Sequence, residues 1–422
     1  MQLEILKRII EDQRRELEKK FSEEKIVERE LIDYEKKYLK YSNILAILGV
    51  RRSGKSIFSL ILSKELKQNF AYINFDDERL INVKTSDLNK ILEAFYEMYG
   101  DIKLVVLDEI QNVTGWELFA TRLRRSKKVI ITGSNSKLLS GELATHLTGR
   151  YIDFVLYPFS FKETLSFKPN IYATEDRAKI RREFNKYLHG SGFPEFAKFG
   201  SNMVVRIYED IINKDCLRRY AIEKKGTFRE LSSYLISNFS SEFTYSKLSK
   251  IFNIKDPHTI KNYVNYLKEA FLIIVLERYS NKLKQQIIAP KKVYSVDHGF
   301  CNFVSFRLSK DNGKLFENIV VIELLRRKFK NDKINTEVYY WKDHQQNEVD
   351  FVVKEGLKIK ELIQVCYDIE SENTKSREIK SLLKASIELK CNNLVIITND
   401  KDGEERINGK KIKYISLWKW LL

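Results

Sequence analysis

The sequence predicts an α/β protein in which a parallel sheet comes first, then helices, a small helix-and-hairpin module and a second α/β domain. Three observations carry this. Apolar, β-branched runs alternate with helical stretches up to about residue 160, the pattern of strands buried on both faces. Residues 223–297 read as three amphipathic helices followed by two short apolar strands. Beyond residue 298, strands and helices alternate again.

At 422 residues, 43% hydrophobic and 12% aromatic, the chain has ordinary globular composition and room for several domains. No apolar run reaches the roughly 20 residues that a membrane span requires. The opening "MQLEILKRIIEDQRRELEKK" is charged and helical, without a signal-peptide core. Cys216, Cys301, Cys366 and Cys391 form no CxxC pair, so neither a disulfide framework nor a zinc site is expected. These features predict a soluble cytoplasmic protein with no membrane partner. The net charge of +17 favours nucleic acid as a partner. A solvated lysine-rich surface gives the same number, so what matters is where the charge lies.

The first strand, Asn43 to Val50, runs into Gly49-x4-Gly54-Lys55-Ser56 and then an apolar helix. This is a phosphate-binding loop: glycines let backbone N–H groups curl around phosphate oxygens, with Arg52 and Ser53 in the same cradle. Lys55 reaches the β- and γ-phosphates, and the Ser56 hydroxyl takes a magnesium position. Such a site needs an acid on a neighbouring strand. Ile102 to Leu107 supplies it, ending in Asp108 as magnesium partner and Glu109 as the base for the attacking water. The same acid pair can cap a helix. "FAYINFDDE" (Phe70 to Glu78) is a further strand, "KKVIITGSNS" ends in Ser134-Asn135, and "RYIDFVLYP" is the fifth. A strand inserted between those bearing the loop and the acids is the layout of ATPases that use a catalytic glutamate.

"GVRRSGKS", "LDEIQNVTGWE", "TGSNSKLLS", "LTGRYIDFVLYPFSF" and "GSGFPE" together resemble prokaryotic and archaeal AAA+ (STAND-like) ATPases. The resemblance spans almost the whole chain. It implies a P-loop NTPase sheet of the ASCE/AAA+ type with a helical lid, a winged helix and a C-terminal α/β domain of the PD-(D/E)XK nuclease-like fold. ATP and Mg2+ are the implied cofactors. By the same resemblance Asn135 holds the sensor position, and Arg150 is a candidate finger toward a neighbouring subunit in a homo-oligomer. Arg122, Arg124 and Arg125 are rival fingers, and Arg150 can equally be a surface residue at a strand start. The domain boundaries drawn are 1–42 for an N-terminal helical segment, 43–165 for the ATPase core, 166–222 for the lid, 223–297 for the winged helix and 298–422 for the tail.

In the lid, the turn at Gly190, Gly192 and Pro194 reads as a hinge. In the next module the third helix is entered through Asp256 as N-cap with Pro257 at its first position. That helix presents His258, Thr259, Lys261 and Asn262 to a major groove, and Lys282 and Lys284 in the hairpin lie on phosphate. From Lys224 to Lys292 there are thirteen Lys or Arg against five Asp or Glu, so the charge sits on a reader-like element. A protein-contact role for the same module remains open.

The tail has the helix, three strands, helix, strand order of a nuclease-like core. Asp350 and Gln364 are expected at adjacent strand ends, with Glu323 or Glu317 adding an acid. Where a magnesium nuclease places Glu-x-Lys, this chain has Gln364, Val365 and Cys366. A neutral thiol cannot replace the lysine, and Lys375 or Lys380 are the nearby substitutes. Three functions follow: an ATPase coupled to DNA engagement with a non-cutting tail, an ATP-gated nuclease in defence or repair, or a switch that holds a protein partner.

Overall fold

A computed structural model describes residues 1–23, 26–32, 37–39, 43–136, 149–306, 311–329 and 335–422. The chain divides into two compact units, Met1–Leu156 and Tyr157–Leu422.

In the first unit, strands β1 (Ile44–Leu48), β2 (Phe70–Asn74), β3 (Leu104–Asp108), β4 (Lys128–Gly133) and β5 (Tyr151–Val155) form one parallel sheet in the order β2-β3-β4-β1-β5. Every residue of β1 and β3 is buried, which is why both read as unbroken apolar runs. β4 is the inserted strand, pairing with β1 on one side and β3 on the other. The expected strand from Phe70 to Glu78 stops at Asn74, because the Asp77 carboxylate accepts the Arg79 N–H and caps a short 3-10 turn. Helices α1 (Leu3–Glu23), α2 (Lys55–Glu65), α3 (Leu88–Tyr99) and α4 (Trp116–Leu123) complete the described elements that matter here. Because β2 is an edge strand, its backbone needs covering. The side-chain amide of Gln13 in α1 does so at Asn74, donating to the carbonyl at 3.0 Å and accepting from the N–H at 2.9 Å.

The second unit begins with α5 (Phe161–Thr164), α6 (Thr174–Leu188), α7 (Phe196–Phe199) and α8 (Ser201–Asp210). The "GSGFPE" turn between α6 and α7 is not a hinge. The Ser191 hydroxyl and the Gly192 N–H both donate to the Asp297 carboxylate, at 2.7 and 2.9 Å. A Cβ on Gly192 would stand 2.6 Å from the Phe159 carbonyl oxygen. Buried backbone fastened this closely has no room to swing.

Next come α9 (Lys225–Ser237), β6 (Ser241–Phe243), α10 (Tyr245–Ile251), α11 (Pro257–Glu269), β7 (Ile273–Glu277), α12 (Leu283–Ile288) and β8 (Lys291–Ser295). The three strands form an antiparallel sheet in the order β6-β8-β7. Asp256 caps α11 as expected, accepting the His258 N–H at 3.0 Å, with Pro257 at the first helical position. Two features differ from the sequence reading. β6 adds a third strand, and the "RYSNKLKQQ" connection carries helix α12 instead of a bare hairpin loop.

After α13 (His298–Phe303) and α14 (Asn312–Arg327), the tail builds a six-stranded sheet. Its strands are β9 (Thr336–Lys342), β10 (Glu348–Glu355), β11 (Lys358–Cys366), β12 (Leu394–Thr398), β13 (Gly403–Ile407) and β14 (Lys410–Ser416), in the order β13-β14-β12-β11-β10-β9. Helix α15 (Glu372–Glu388) packs Leu382 and Ile379 onto Val349, Val352, Leu362 and Ile396. The β13–β14 hairpin goes beyond the expected core. The tail meets the preceding module along a seam, where the Tyr279 N–H donates to the Tyr340 carbonyl at 2.7 Å and the Tyr340 hydroxyl to the Pro290 carbonyl at 2.5 Å.

Candidate functional site

The loop after β1 has the backbone that its glycines suggest. Gly49, Arg52 and Gly54 have φ of 148°, 63° and 96°, and Gly54 caps α2. At Gly49 an added Cβ would stand 2.4 Å from the Leu156 carbonyl oxygen, so only glycine fits. Two buried polar groups face this loop. The Ser53 hydroxyl is buried without a hydrogen-bond partner, an arrangement that costs about 1–3 kcal/mol unless a ligand supplies one. The Lys55 ammonium donates to the Val50 carbonyl at 3.2 Å and pairs with Glu109 at 3.3 Å. A helix N-terminus, an orphaned hydroxyl and a buried cation are what a phosphate group needs, so the loop fits the nucleotide.

Asp108 is wholly buried at the end of β3. The Tyr72 hydroxyl donates to its Oδ2 at 2.6 Å, the Thr132 hydroxyl donates to its Oδ1, and the Ser56 hydroxyl is a third partner. Burial pushes the Asp108 carboxyl up, and the charge of Glu109 adds to that; the three hydroxyls pull the other way. Glu109 follows in the left-handed region, at φ 51°. Its N–H donates to Thr132 Oγ1 at 2.9 Å, and its Oε2 accepts from the Gln111 amide at 2.5 Å and from the Ser134 N–H at 3.2 Å. Burial acts to raise the Glu109 carboxyl, but Lys55, Gln111 and Arg51 outweigh it and hold the group at about 2. Glu109 is thus ionised across the working pH range. Ser56 and Asp108 are together where an Mg2+ ion could be held.

Tyr72, Thr132 and Gln111 escaped the sequence reading. The available signal was strand adjacency: β2 and β4 flank β3, so each can direct one side chain at Asp108. Asn135 is buried just beyond β4. Arg150 is exposed before β5, its carbonyl accepting the Ile44 N–H at 2.9 Å. Arg52, Arg122 and Arg125 are exposed and Arg124 half-buried. Residues 137–148, which include parts of "TGSNSKLLS" and "LTGR", lie outside the described residues.

In the second unit, α11 exposes His258, Lys261 and Asn262, with Thr259 half-buried among them. Lys282 and Lys284 are exposed at the start of α12. Between and beyond them Leu283, Ile287 and Ile288 are 69%, 61% and 70% exposed.

The tail brings Asp350 and Gln364 together as expected: the Asp350 N–H donates to Gln364 Oε1 at 3.3 Å. Of the two candidate acids, Glu317 joins them and Glu323 does not. Glu323 is taken up by Arg326 at 2.5 Å and Arg327 at 2.9 Å. The Gln364 amide donates to Glu378 at 2.5 Å. Burial, with Glu378 and Asp368, pushes the Cys366 thiol up to about 12, so it stays neutral. Neither expected lysine enters: Lys375 pairs with Glu405 at 3.1 Å and Lys380 is exposed. The lysine that does enter is Lys292 of β8, whose Nζ stands 2.8 Å from Glu317, 2.6 Å from Glu348 and 3.2 Å from Asp350.

A parallel sheet in this strand order, with a glycine loop after β1 and paired acids closing β3, defines a P-loop ATPase of the AAA type. Residues 41–165 match the AAA domain family (AAA_14), residues 181–311 a domain of unknown function (DUF8612), and residues 312–420 another (DUF4143). Over 402 residues the chain is 37% identical to the uncharacterized protein MJ1544 of Methanocaldococcus jannaschii, covering 90% of this chain and 88% of that one. An uncharacterized protein of Haemophilus influenzae is 29% identical over 394 residues, covering 89% of this chain and 94% of its own. A solved Walker-type ATPase of Pyrococcus abyssi superposes with a TM-score of 0.42 at 15% identity, covering 66% of this chain and 96% of its own. The chain belongs to the same family as MJ1544, and its AAA domain supports ATP binding. Among the described residues no helix is long and apolar enough to cross a membrane.

Proposed function

We propose that the chain is a Mg2+-dependent ATPase whose nucleotide state governs engagement of DNA by residues 223–297, beside a nuclease-like tail that does not cut. The observation that carries the ATPase part of this reading is the convergence of Ser56, Asp108, Lys55 and Glu109 beyond the carboxyl ends of β1 and β3. Gly49, Arg52, Ser53 and Gly54 present backbone and hydroxyl groups to phosphate oxygens. Ser56 and Asp108 would hold Mg2+, which when bound would neutralise charge developing on the phosphates. Lys55 exchanges its contact with Glu109 for the γ-phosphate, and Glu109 is thereby released. The ionised Glu109 carboxylate then takes a proton from the water that attacks the γ-phosphorus, as the bond from that phosphorus to the β–γ bridging oxygen breaks and ADP leaves. Asn135 orients that water or the γ-phosphate. Arg150 serves a neighbouring subunit of a homo-oligomer, with Arg122, Arg124 and Arg125 as alternative fingers.

Residues 166–222 act as the helical lid. Residues 223–297 form a winged helix, supported by the order helix, strand, helix, helix, strand, helix, strand and by the antiparallel sheet that closes it. In that reading α11 enters a major groove with His258, Thr259, Lys261 and Asn262, while Lys282 and Lys284 meet phosphates. The tail is PD-(D/E)XK-like by its strand-helix order. A second reading, a switch that holds a protein partner, is favoured by the apolar face of α12 formed by Leu283, Ile287 and Ile288.

The test is steady-state ATP hydrolysis with and without duplex, single-stranded and branched DNA at two salt concentrations, with the DNA recovered and sized. Stimulation that fades with salt and leaves DNA intact is expected. Absence of both stimulation and DNA retention sinks the DNA reading and leaves the protein-partner switch.

A further inference from the structure

Lys292 belongs by sequence to the helix-and-hairpin module, yet its ammonium is buried among side chains of the tail, with 4% of the side chain exposed. Glu317 comes from α14, and Glu348 and Asp350 from alternate positions on β10, so three elements meet at one nitrogen. Tyr294, two residues along the same face of β8, donates its hydroxyl to Glu317 Oε1 at 2.5 Å. The remaining oxygen of Asp350 accepts the Val365 N–H at 2.9 Å. Lys342 continues the network, pairing with Glu348 at 3.0 Å and Glu242 at 2.9 Å. Burial works against the charge on Lys292, but Glu317, then Tyr294, Asp350 and Glu348 outweigh it and keep the ammonium protonated. Burial and the Glu317 charge push Asp350 up, against the pull of Lys292.

A divalent ion in such a cluster would sit about 2.0–2.6 Å from the same oxygens, and that space is filled by Nζ. With Lys292 between them, Glu317, Glu348 and Asp350 are not arranged to hold a metal ion, and among the described residues no other group of three or more His, Cys, Asp or Glu side chains is. Gln364 and Cys366 agree with this: one lacks the charge a metal would use, and the other is a neutral thiol.

We propose that Lys292 is the resident cation of this carboxylate cluster, standing in for a divalent metal, closing the tail to metal-dependent hydrolysis and tying β8 to α14 and β10. The helix-and-hairpin module and the tail are therefore joined through a buried charge seam in which Lys292 meets Glu317, Glu348 and Asp350, with Tyr294 on Glu317 and Lys342 between Glu348 and Glu242 beside it. This assignment does not depend on the nucleotide site.

The test uses the full-length chain, with Mn2+ as the probe, followed by titration calorimetry and electron paramagnetic resonance. The proteins are the parent, Lys292→Met, Asp350→Asn and the double variant. The parent and Asp350→Asn should give the same Mn2+ isotherm, any shared binding belonging elsewhere in the chain. Lys292→Met should melt lower, gain one further Mn2+ site and recover part of its melting temperature as Mn2+ is added; the double variant should lose that gain. A parent that loses a Mn2+ site on Asp350→Asn would overturn the proposal, since the metal would then sit beside Lys292. So would Lys292→Met that folds and gains no site. Should Lys292→Met fail to fold, the parent and Asp350→Asn comparison still decides, and Lys292→Arg, which keeps the charge, should fold and bind no additional Mn2+.

Discussion

Replacing Thr132 with valine tests whether one hydroxyl on the inserted strand holds both acids. Thr132 Oγ1 donates to Asp108 Oδ1 and accepts the Glu109 N–H at 2.9 Å, and the side chain is wholly buried. Valine keeps the shape and removes both bonds. Losing a hydrogen bond to a charged group costs about 1.5–3 kcal/mol, and leaving the Glu109 N–H unpaired about 1–3 kcal/mol more. Burial of the new methyl returns about 1 kcal/mol, so the net loss is about 3 kcal/mol. In a unit of this size that lowers the melting temperature by roughly 6–12 °C. The deficit should also depend on pH. Asp108 is a carboxyl raised on folding, so its burial costs nothing below its unfolded pKa, and the cost builds as pH rises toward the folded one. Thr132 is one of the groups pulling it down, so the gap between variant and parent should widen with rising pH. Calorimetric melts across pH 4 to 8, roughly spanning the carboxylate range, would show it, and phosphate release should fall at least about tenfold as Glu109 loses its anchor. A variant that melts with the parent at every pH and turns over normally would refute the account of how these acids are placed.

Glu109→Gln should keep nucleotide affinity while turnover falls by about 10²–10⁴, the usual share of a general base; equal loss of binding in a fluorescent-nucleotide titration would mean that Glu109 shapes the loop instead. Gly192→Ala should destabilise by about 1–3 kcal/mol through overpacking against Phe159. Gly226→Ala, where the added Cβ meets open space in α9, should be neutral or stabilising by up to about 1 kcal/mol, and reversal of that ranking in thermal melts would restore the hinge. Lys261→Ala should weaken duplex binding similarly across sequences and reduce the log-affinity slope on log salt by about 1; an unchanged slope would place α11 away from phosphate.

The first unit was largely legible because its signals are local. Strands buried on both faces show as apolar runs, and the phosphate loop is a contiguous string whose glycines have one reason to exist. What escaped was lateral. Tyr72 looks like any polar residue in a strand, and Thr132 like any threonine before a turn; only the placement of β2 and β4 on either side of β3 directs both at Asp108. Gln111 sits two residues from Glu109, near enough to be suspected, yet the left-handed turn at Glu109 that folds its amide back has no sequence signature for a glutamate. In the second unit, "GSGFPE" reads as a flexible turn because glycine permits both freedom and close approach. Asp297 decides between them, and it lies 106 residues from Ser191 along the chain.

The tail shows the same limit from the side of charge. A motif-based search for the missing lysine looks one strand or one helix away, at Cys366, Lys375 and Lys380. Electrostatics has no such preference: an ammonium is stabilised by whichever carboxylates surround it, wherever they fall in the chain. β8 runs beside the tail because Tyr279 and Pro290 bond to Tyr340, and that seam places Lys292 over Glu317 and Asp350. Removing one partner from a buried charge set costs about 3–5 kcal/mol, because the others are left uncompensated. On the proposal above, Lys292 gives the cluster a fixed cation where a metal-dependent site would hold an exchangeable one, and neither Gln364 nor the neutral Cys366 thiol has to supply charge to it.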